Sequence, residues 1–444
     1  MGGREGDDER YTMLGESGSR SASFSIVHSG DLEVGMSVLE VCMMQTAIIL
    51  GLGVLGLSYA FSTMGWVLGF ALLGLSAAGA MYSGLWISRI VNHLTSFGAS
   101  PRKYSDLGHA AFGSVGRVVI QNVQYTFLGG ALVAVQLTAS TALVQVASAL
   151  GGTLCLWTSN VIIAVCMLPV MQVQRLREMT WTAFLGLAMI AGPVVIYLTV
   201  VGEEASAGSG ASASVGFPPS SSFDGFANGI TTIVFAYQGQ TIFPELISQM
   251  KRPRRFPSSV AASVALMTAV YMVVGSFGYA KLGASAVYLV DYVDGLSNVD
   301  QAKIAAANGM LIVNVMVGYT INGNVMNHAL RERMFPSTAA QDRASRLQWL
   351  CVTCTTLTVS FVLSNVIPSL GDLLSVLGAT CGYSLTFLFP ALCSLALLKL
   401  SPAARVLHRA VVGVTGVAIC VGTYATVKTL ADGISEDLGS IFTC

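Results

Sequence analysis

Two short stretches hold the residues best suited to grip a small charged ligand, and neither relies on a charged side chain. The first is Gly51-Leu52-Gly53-Val54-Leu55-Gly56, three glycines in six residues within an apolar run. Each glycine costs about 1 kcal/mol relative to alanine inside a helix, so unwinding is expected there. The second is Phe235-Ala236-Tyr237-Gln238-Gly239, followed by Gln240 and Pro244. Pro244 has no N–H, so the carbonyl of Gln240 loses its helical partner, and Gly239 adds freedom at the same point. Backbone opened in this way exposes amide N–H groups at the starts of half-helices and carbonyls at their ends. A zwitterion fits that field, with its carboxylate on the amides around Val54–Leu57 and its ammonium on the carbonyls around Phe235–Gln238. A neutral α-amino acid is the ligand class such a pair of breaks suits best.

The elements that carry these stretches must lie in lipid. Of 444 residues, 53% are hydrophobic and only 10% are charged, too few charges to cover a water-soluble surface. Eleven apolar runs are long enough to cross a bilayer, at about 38–60, 66–91, 115–147, 154–173, 179–201, 224–249, 258–281, 303–329, 346–367, 370–398 and 405–430. The fold class expected is therefore an all-α polytopic membrane protein. Both stretches fall at bilayer depth, in spans one and six. The first also matches G-x-G-x-x-G, but no strand precedes it and residues 71–80 hold no acidic group, so a dinucleotide site is rejected.

With the N-terminus inside, the inner segments take every Lys and Arg except Lys281, Lys303 and Lys428, out of 23 in the chain. That asymmetry predicts a cytoplasmic N-terminus and an outside or lumenal C-terminus, in a plasma or a vacuolar or endosomal membrane. Residues 1–36 are polar and Ser-rich and are expected to be a disordered tail. Residues 202–222, almost all Ala, Ser and Gly, read as a flexible outside loop. The loop divides the first five spans, 37–201, from a second set of five, 223–398, with 399–444 carrying an eleventh helix. Five is odd, so a second copy of the unit would lie upside down, and inverted repeats of this kind carry a broken helix at matching places. Gly79, in the plain second span, is expected to tolerate a methyl group. Cys351 and Cys354 form a C-x-x-C in an apolar helix with no second ligand pair, so core packing is expected there rather than a metal. No cofactor, nucleic-acid partner or enzymatic motif is expected; the partners are a small amino acid and membrane lipid.

These residues resemble the amino acid/auxin permease family over roughly residues 37–430. The likeness rests on the run Gly51–Phe61 with Met64–Gly69, on Tyr104–Gly113, on Phe235–Gly239 with Phe243-Pro244-Glu245, and on Ile367–Thr380. It implies a leucine-transporter-like architecture of two inverted five-helix repeats plus one helix. It also implies secondary transport of amino acids by alternating access, coupled to protons or sodium. A transporter-like amino acid sensor, with binding but little flux, is the alternative. The chain has Ser58 where many members have Pro, a difference shared with the sodium-coupled branch. That branch places an Asn just before the glycine break, where this chain reads Thr46-Ala47-Ile48-Ile49-Leu50. Candidates for ion coupling are Thr46 and Ala47 in span one, Thr320 and Asn324 in span eight, and Glu245 near the inner end of span six. The missing Asn tips the expectation toward protons.

Overall fold

The computed structural model describes residues 35–174, 180–206, 218, 222–286, 288, 301–335, 342–367 and 369–437. Most of the expected tail, most of the 202–222 loop and Pro368 lie outside the described residues. The described chain is helical throughout: α1 (Val38–Gly53), α2 (Leu57–Ser96), α3 (Tyr104–Ala149), α4 (Leu156–Val170), α5 (Thr180–Ser206), α6 (Phe223–Ala236), α7 (Phe243–Ser248), α8 (Phe256–Leu282), α9 (Gln301–Met334), α10 (Asp342–Val366), α11 (Leu370–Leu377), α12 (Phe389–Leu397) and α13 (Pro402–Asp437). One isolated backbone bridge joins Met36 to Met250.

Among the described residues, eight helical runs are long and apolar enough to cross a membrane. The first of them, Val38–Ser96, is not straight. Gly65 adopts φ 76°, a left-handed conformation that favours glycine, and separates 57–64 from 66–96. Gly113, at φ 66°, likewise separates 104–111 from the long remainder of α3. Leu156–Val170 is a shorter apolar helix, and the region of span six is two short helices, so neither is among the eight.

α9 lies along α3 and α5, and α2 lies along α8, so the core runs between these long helices. Buried Tyr104, Tyr271, Tyr279, Tyr319, Phe61 and Trp349 fill it. Large apolar side chains such as Trp181, Val406, Val414 and Val417 face outward, as lipid-facing positions require. α4 carries Pro169 just before its last residue, Val170, and the carbonyls beyond it cannot turn to lipid. They bond instead to side chains of α9 and α10: Trp349 Nε1 to Met171 (3.0 Å), Asn324 Nδ2 to Val173 (2.9 Å), and His328 Nε2 to Gln174 (2.8 Å).

Two local expectations change. A Cβ on Gly79 would collide with the ring of Phe387, so this glycine exists for close helix packing. Gly74, two turns from the start of the same span, has open space where its Cβ would go. Cys351 and Cys354 are exposed on the outer face of α10 rather than packed in the core.

Candidate functional site: a broken helix against a glycine face

Span six opens where its sequence is polar. α6 stops at Ala236, Tyr237–Gly239 leave the helix, Gln240–Ile242 form one 3-10 turn, and α7 begins at Phe243 with Pro244 in its first turn. Proline is favoured at that first position because its missing N–H has no helical acceptor there. The break therefore lies just before the proline's own turn.

Span one behaves differently from expectation. It tightens into a 3-10 turn at Val54–Gly56 without unwinding, and the Val54 N–H still bonds the Leu50 carbonyl. The glycines serve close approach instead. A Cβ on Gly53 would lie 2.5 Å from the Tyr271 hydroxyl and 2.9 Å from the Ala236 carbonyl; one on Gly51 would lie 2.7 Å from Asn314 Oδ1. Gly56 leaves room for Thr232 and Tyr288, and Gly239, on the opposite side, leaves room for Ile49 of span one. Val54, Leu55 and Gly56 are buried against this contact. Only a chain without side chains at these points lets span one press its backbone onto the break of span six.

Of the carbonyls expected to lie open, those of Ala236 and Tyr237 are held by side chains and that of Phe235 by the backbone. Tyr271 Oη donates to the Ala236 carbonyl at 2.7 Å and lies 3.3 Å from that of Ile49, bridging spans one and six. The Gln238 N–H bonds the Phe235 carbonyl at 2.9 Å. Gln240 folds back on its own break: its Nε2 donates to the Tyr237 carbonyl (3.2 Å) and its Oε1 accepts from the Gly239 N–H (3.0 Å). Gln124 of α3 donates to the Thr241 carbonyl at 2.7 Å. From the far side, the Thr386 hydroxyl lies 2.6 Å from Gln238 Oε1 and 3.2 Å from Gln240 Oε1. Thr386 sits in a stretch, Gly378–Gly382 and Ser384–Leu388, wound as π-helix between α11 and α12. Such wide turns are frequent at functional sites.

Sequence reasoning identified Tyr237, Gln238 and Gly239 but missed Gln124, Tyr271 and Thr386. A polar side chain inside an apolar run was the signal for the glutamine and threonine. Tyr271 gave none, since a tyrosine in such a run looks like packing.

The ion-coupling candidates are not gathered. Thr46 and Thr320 hydroxyls bond back to Cys42 and Met316 in their own helices, at 2.8 Å each, and Asn324 caps span four. Ala47 is buried in α1. α9 does turn Asn314 toward span one: its Nδ2 donates to the Gly186 carbonyl at 2.7 Å, while its buried Oδ1, beside Gly51, has no hydrogen-bond partner among the described residues. Glu245 stands in the first turn of α7, its Oε2 buried and, among the described residues, without a hydrogen-bond partner.

Contacts flank the break on two sides. At one, Tyr288 stacks on Tyr59 (4.9 Å between centroids) and its hydroxyl lies 2.9 Å from Thr232 Oγ1, while Ser62 donates to the Ala286 carbonyl at 3.1 Å. At the other, Met36 pairs its backbone with Gln249 (2.7 Å) and Lys251 (2.9 Å).

Residues 35–428 match the family model described as transmembrane amino acid transporter protein. Among curated proteins, the chain is 24% identical to the amino acid transporter AVT1D of Arabidopsis thaliana, over 88% of this chain and 70% of that one. It is 22% identical to AVT1C of the same plant, over 96% and 75%. Among solved structures it resembles MhsT in complex with L-phenylalanine (TM-score 0.54, 12% identity, 88% of this chain and 99% of that chain). It also resembles Mhp1, a nucleobase-cation-symport-1 family transporter (TM-score 0.50, 13% identity, 88% and 92%). Both share the leucine-transporter fold.

Proposed function

Since the chain belongs to the transmembrane amino acid transporter protein family, we propose that it carries neutral, zwitterionic amino acids across its membrane by alternating access, coupled to an ion gradient. The observation that carries this reading is the pairing just described: a helix broken at Tyr237–Gly239 and pressed against the glycine face of span one. Broken helices meeting between two halves are where carriers of this fold hold their substrate.

Eleven spans in two inverted sets of five plus one account for how the ends pair. Numbered along the chain from an inside N-terminus, residues that touch fall on the same side. Lys303 and Glu203 (2.8 Å) meet outside, as do Lys428 and Asp224 (3.3 Å). Lys103 and Glu332 meet inside, as do Met36 and Lys251. In this reading the ammonium of the substrate takes over the carbonyls of Ala236 and Tyr237 that Tyr271 and Gln240 hold, and the carboxylate approaches the tightened turn after Gly53. Coupling is assigned to protons, with Glu245 as the candidate carrier, because its buried oxygen has no hydrogen-bond partner and the Thr46, Thr320 and Asn324 side chains are engaged elsewhere.

Counterflow in proteoliposomes tests the proposal. A labelled neutral amino acid should accumulate against an internal pool of the same amino acid. Saturable binding with no counterflow would make the protein a sensor and overturn it.

A further inference from the structure

Gln238 holds a pair of hydrogen-bond donors that nothing among the described residues receives. The residue is 4% exposed, and its buried Nε2 has no hydrogen-bond partner among the described residues. Leaving such an amide unmatched is costly, so its orientation matters. That orientation is fixed from the backbone outward. The Tyr237 carbonyl and Gly239 N–H allow Gln240 only one amide orientation, with its oxygen toward Thr386. Thr386 has one hydroxyl proton for two amide oxygens: Gln240 Oε1 already accepts from the Gly239 N–H, and Gln238 Oε1, at 2.6 Å against 3.2 Å, takes the proton. The oxygen of Gln238 is thus the atom bonded to span ten, and its buried Nε2 is the donor left over.

The direction separates Gln238 from the groups proposed to hold the zwitterion. Ala236 faces span one through Gly53, whereas Gln238 Oε1 touches span ten, at Thr386 and beside Gly382. A substrate whose carboxylate and ammonium lie along spans one and six presents its side chain to the remaining direction. We propose that Gln238 is a specificity-determining residue: its Nε2 donates to an oxygen on the substrate side chain, so that the site prefers neutral amino acids bearing a hydroxyl or carboxamide. Thr386 is the positioning residue that keeps the donor turned inward. A buried donor discriminates strongly, because an apolar side chain of equal size leaves it unpaired. The inference rests on the proposed amino acid site.

The experiment compares isosteric pairs, L-threonine with L-valine and L-glutamine with L-methionine, as inhibitors of counterflow in proteoliposomes. Wild-type protein should bind the oxygen-bearing member of each pair about 10-fold more tightly, the worth of one buried hydrogen bond. Gln238→Met should abolish that ratio, costing the oxygen-bearing member of each pair more affinity than its apolar partner. Thr386→Val should reduce it, and Thr386→Ser, which keeps the hydroxyl, should restore it. Equal affinities within each wild-type pair, or equal losses for both members in Gln238→Met, would overturn the assignment and leave Gln238 holding a structural water. If Gln238→Met does not insert, Thr386→Val against Thr386→Ser decides the matter with Gln238 intact. Failure of every amino acid to inhibit or exchange would instead refute the transport reading itself.

Discussion

The hydroxyl of Tyr271 donates to the carbonyl of Ala236 at 2.7 Å, so the last carbonyl of the first half of span six is held by a neighbouring helix before any substrate arrives. The same oxygen lies 3.3 Å from the Ile49 carbonyl, which makes Tyr271 the pin between the two central spans. Tyr271→Phe keeps the ring but leaves the Ala236 carbonyl buried without that donor. The substrate-free protein should lose about 1–3 kcal/mol of stability, and a bound ammonium should recover part of it. Thermal melting in detergent should therefore show a lower transition without substrate and a larger substrate-induced rise than wild type. An unchanged transition and an unchanged rise would remove Tyr271 from the site.

Glu245 supplies the coupling prediction. Glu245→Gln keeps the shape of the side chain and removes the titrating proton. Uptake driven by a pH gradient should be lost, while counterflow, which needs no net ion movement, should continue at a substantial fraction of the wild-type rate. Wild-type uptake that follows sodium at fixed pH and ignores the pH gradient would reverse the ion assignment.

Charge asymmetry supplies the topology prediction. Single cysteines at Ser209 and at Ser337, in a background without reactive thiols, should be labelled by an impermeant reagent from opposite faces. Labelling of both from one side would end the eleven-span account.

Much of this architecture was legible in local sequence, because lipid makes each span declare itself by length and apolarity. Gly65 and Gly113 sit at the edges of apolar runs, and both turned out to be left-handed corners between helices. The break in span six was legible for the same reason: Tyr237, Gln238, Gly239 and Pro244 cannot all suit a lipid-facing helix. The response of span one was not legible. Glycine lowers helix stability and also permits close packing, and only the positions of Ala236, Tyr271 and Asn314 decide between the two. The polar partners of the break were hidden for a related reason. Thr386 lies 148 residues from Gln238, and Tyr271 lies 222 residues from Ile49, so no local pattern joins them. Asn324 looked like an ion ligand until the carbonyl of Val173 claimed it.

The central claim is that substrate binds where the glycine face of span one meets the break of span six. Gly53→Val would push a side chain into the Ala236 carbonyl, and Gly239→Val would push one into Ile49, from opposite helices. Gly74→Ala is the matched control, because its Cβ would enter open space. The most direct measurement is the substrate-induced shift in melting temperature of each variant in detergent, beside the melting temperature of the protein alone. The account predicts that a saturating neutral amino acid raises the transition of wild type and of Gly74→Ala equally, and raises neither Gly53→Val nor Gly239→Val, with both still folded and inserted. Wild-type shifts in both valine variants would contradict it and place the substrate elsewhere.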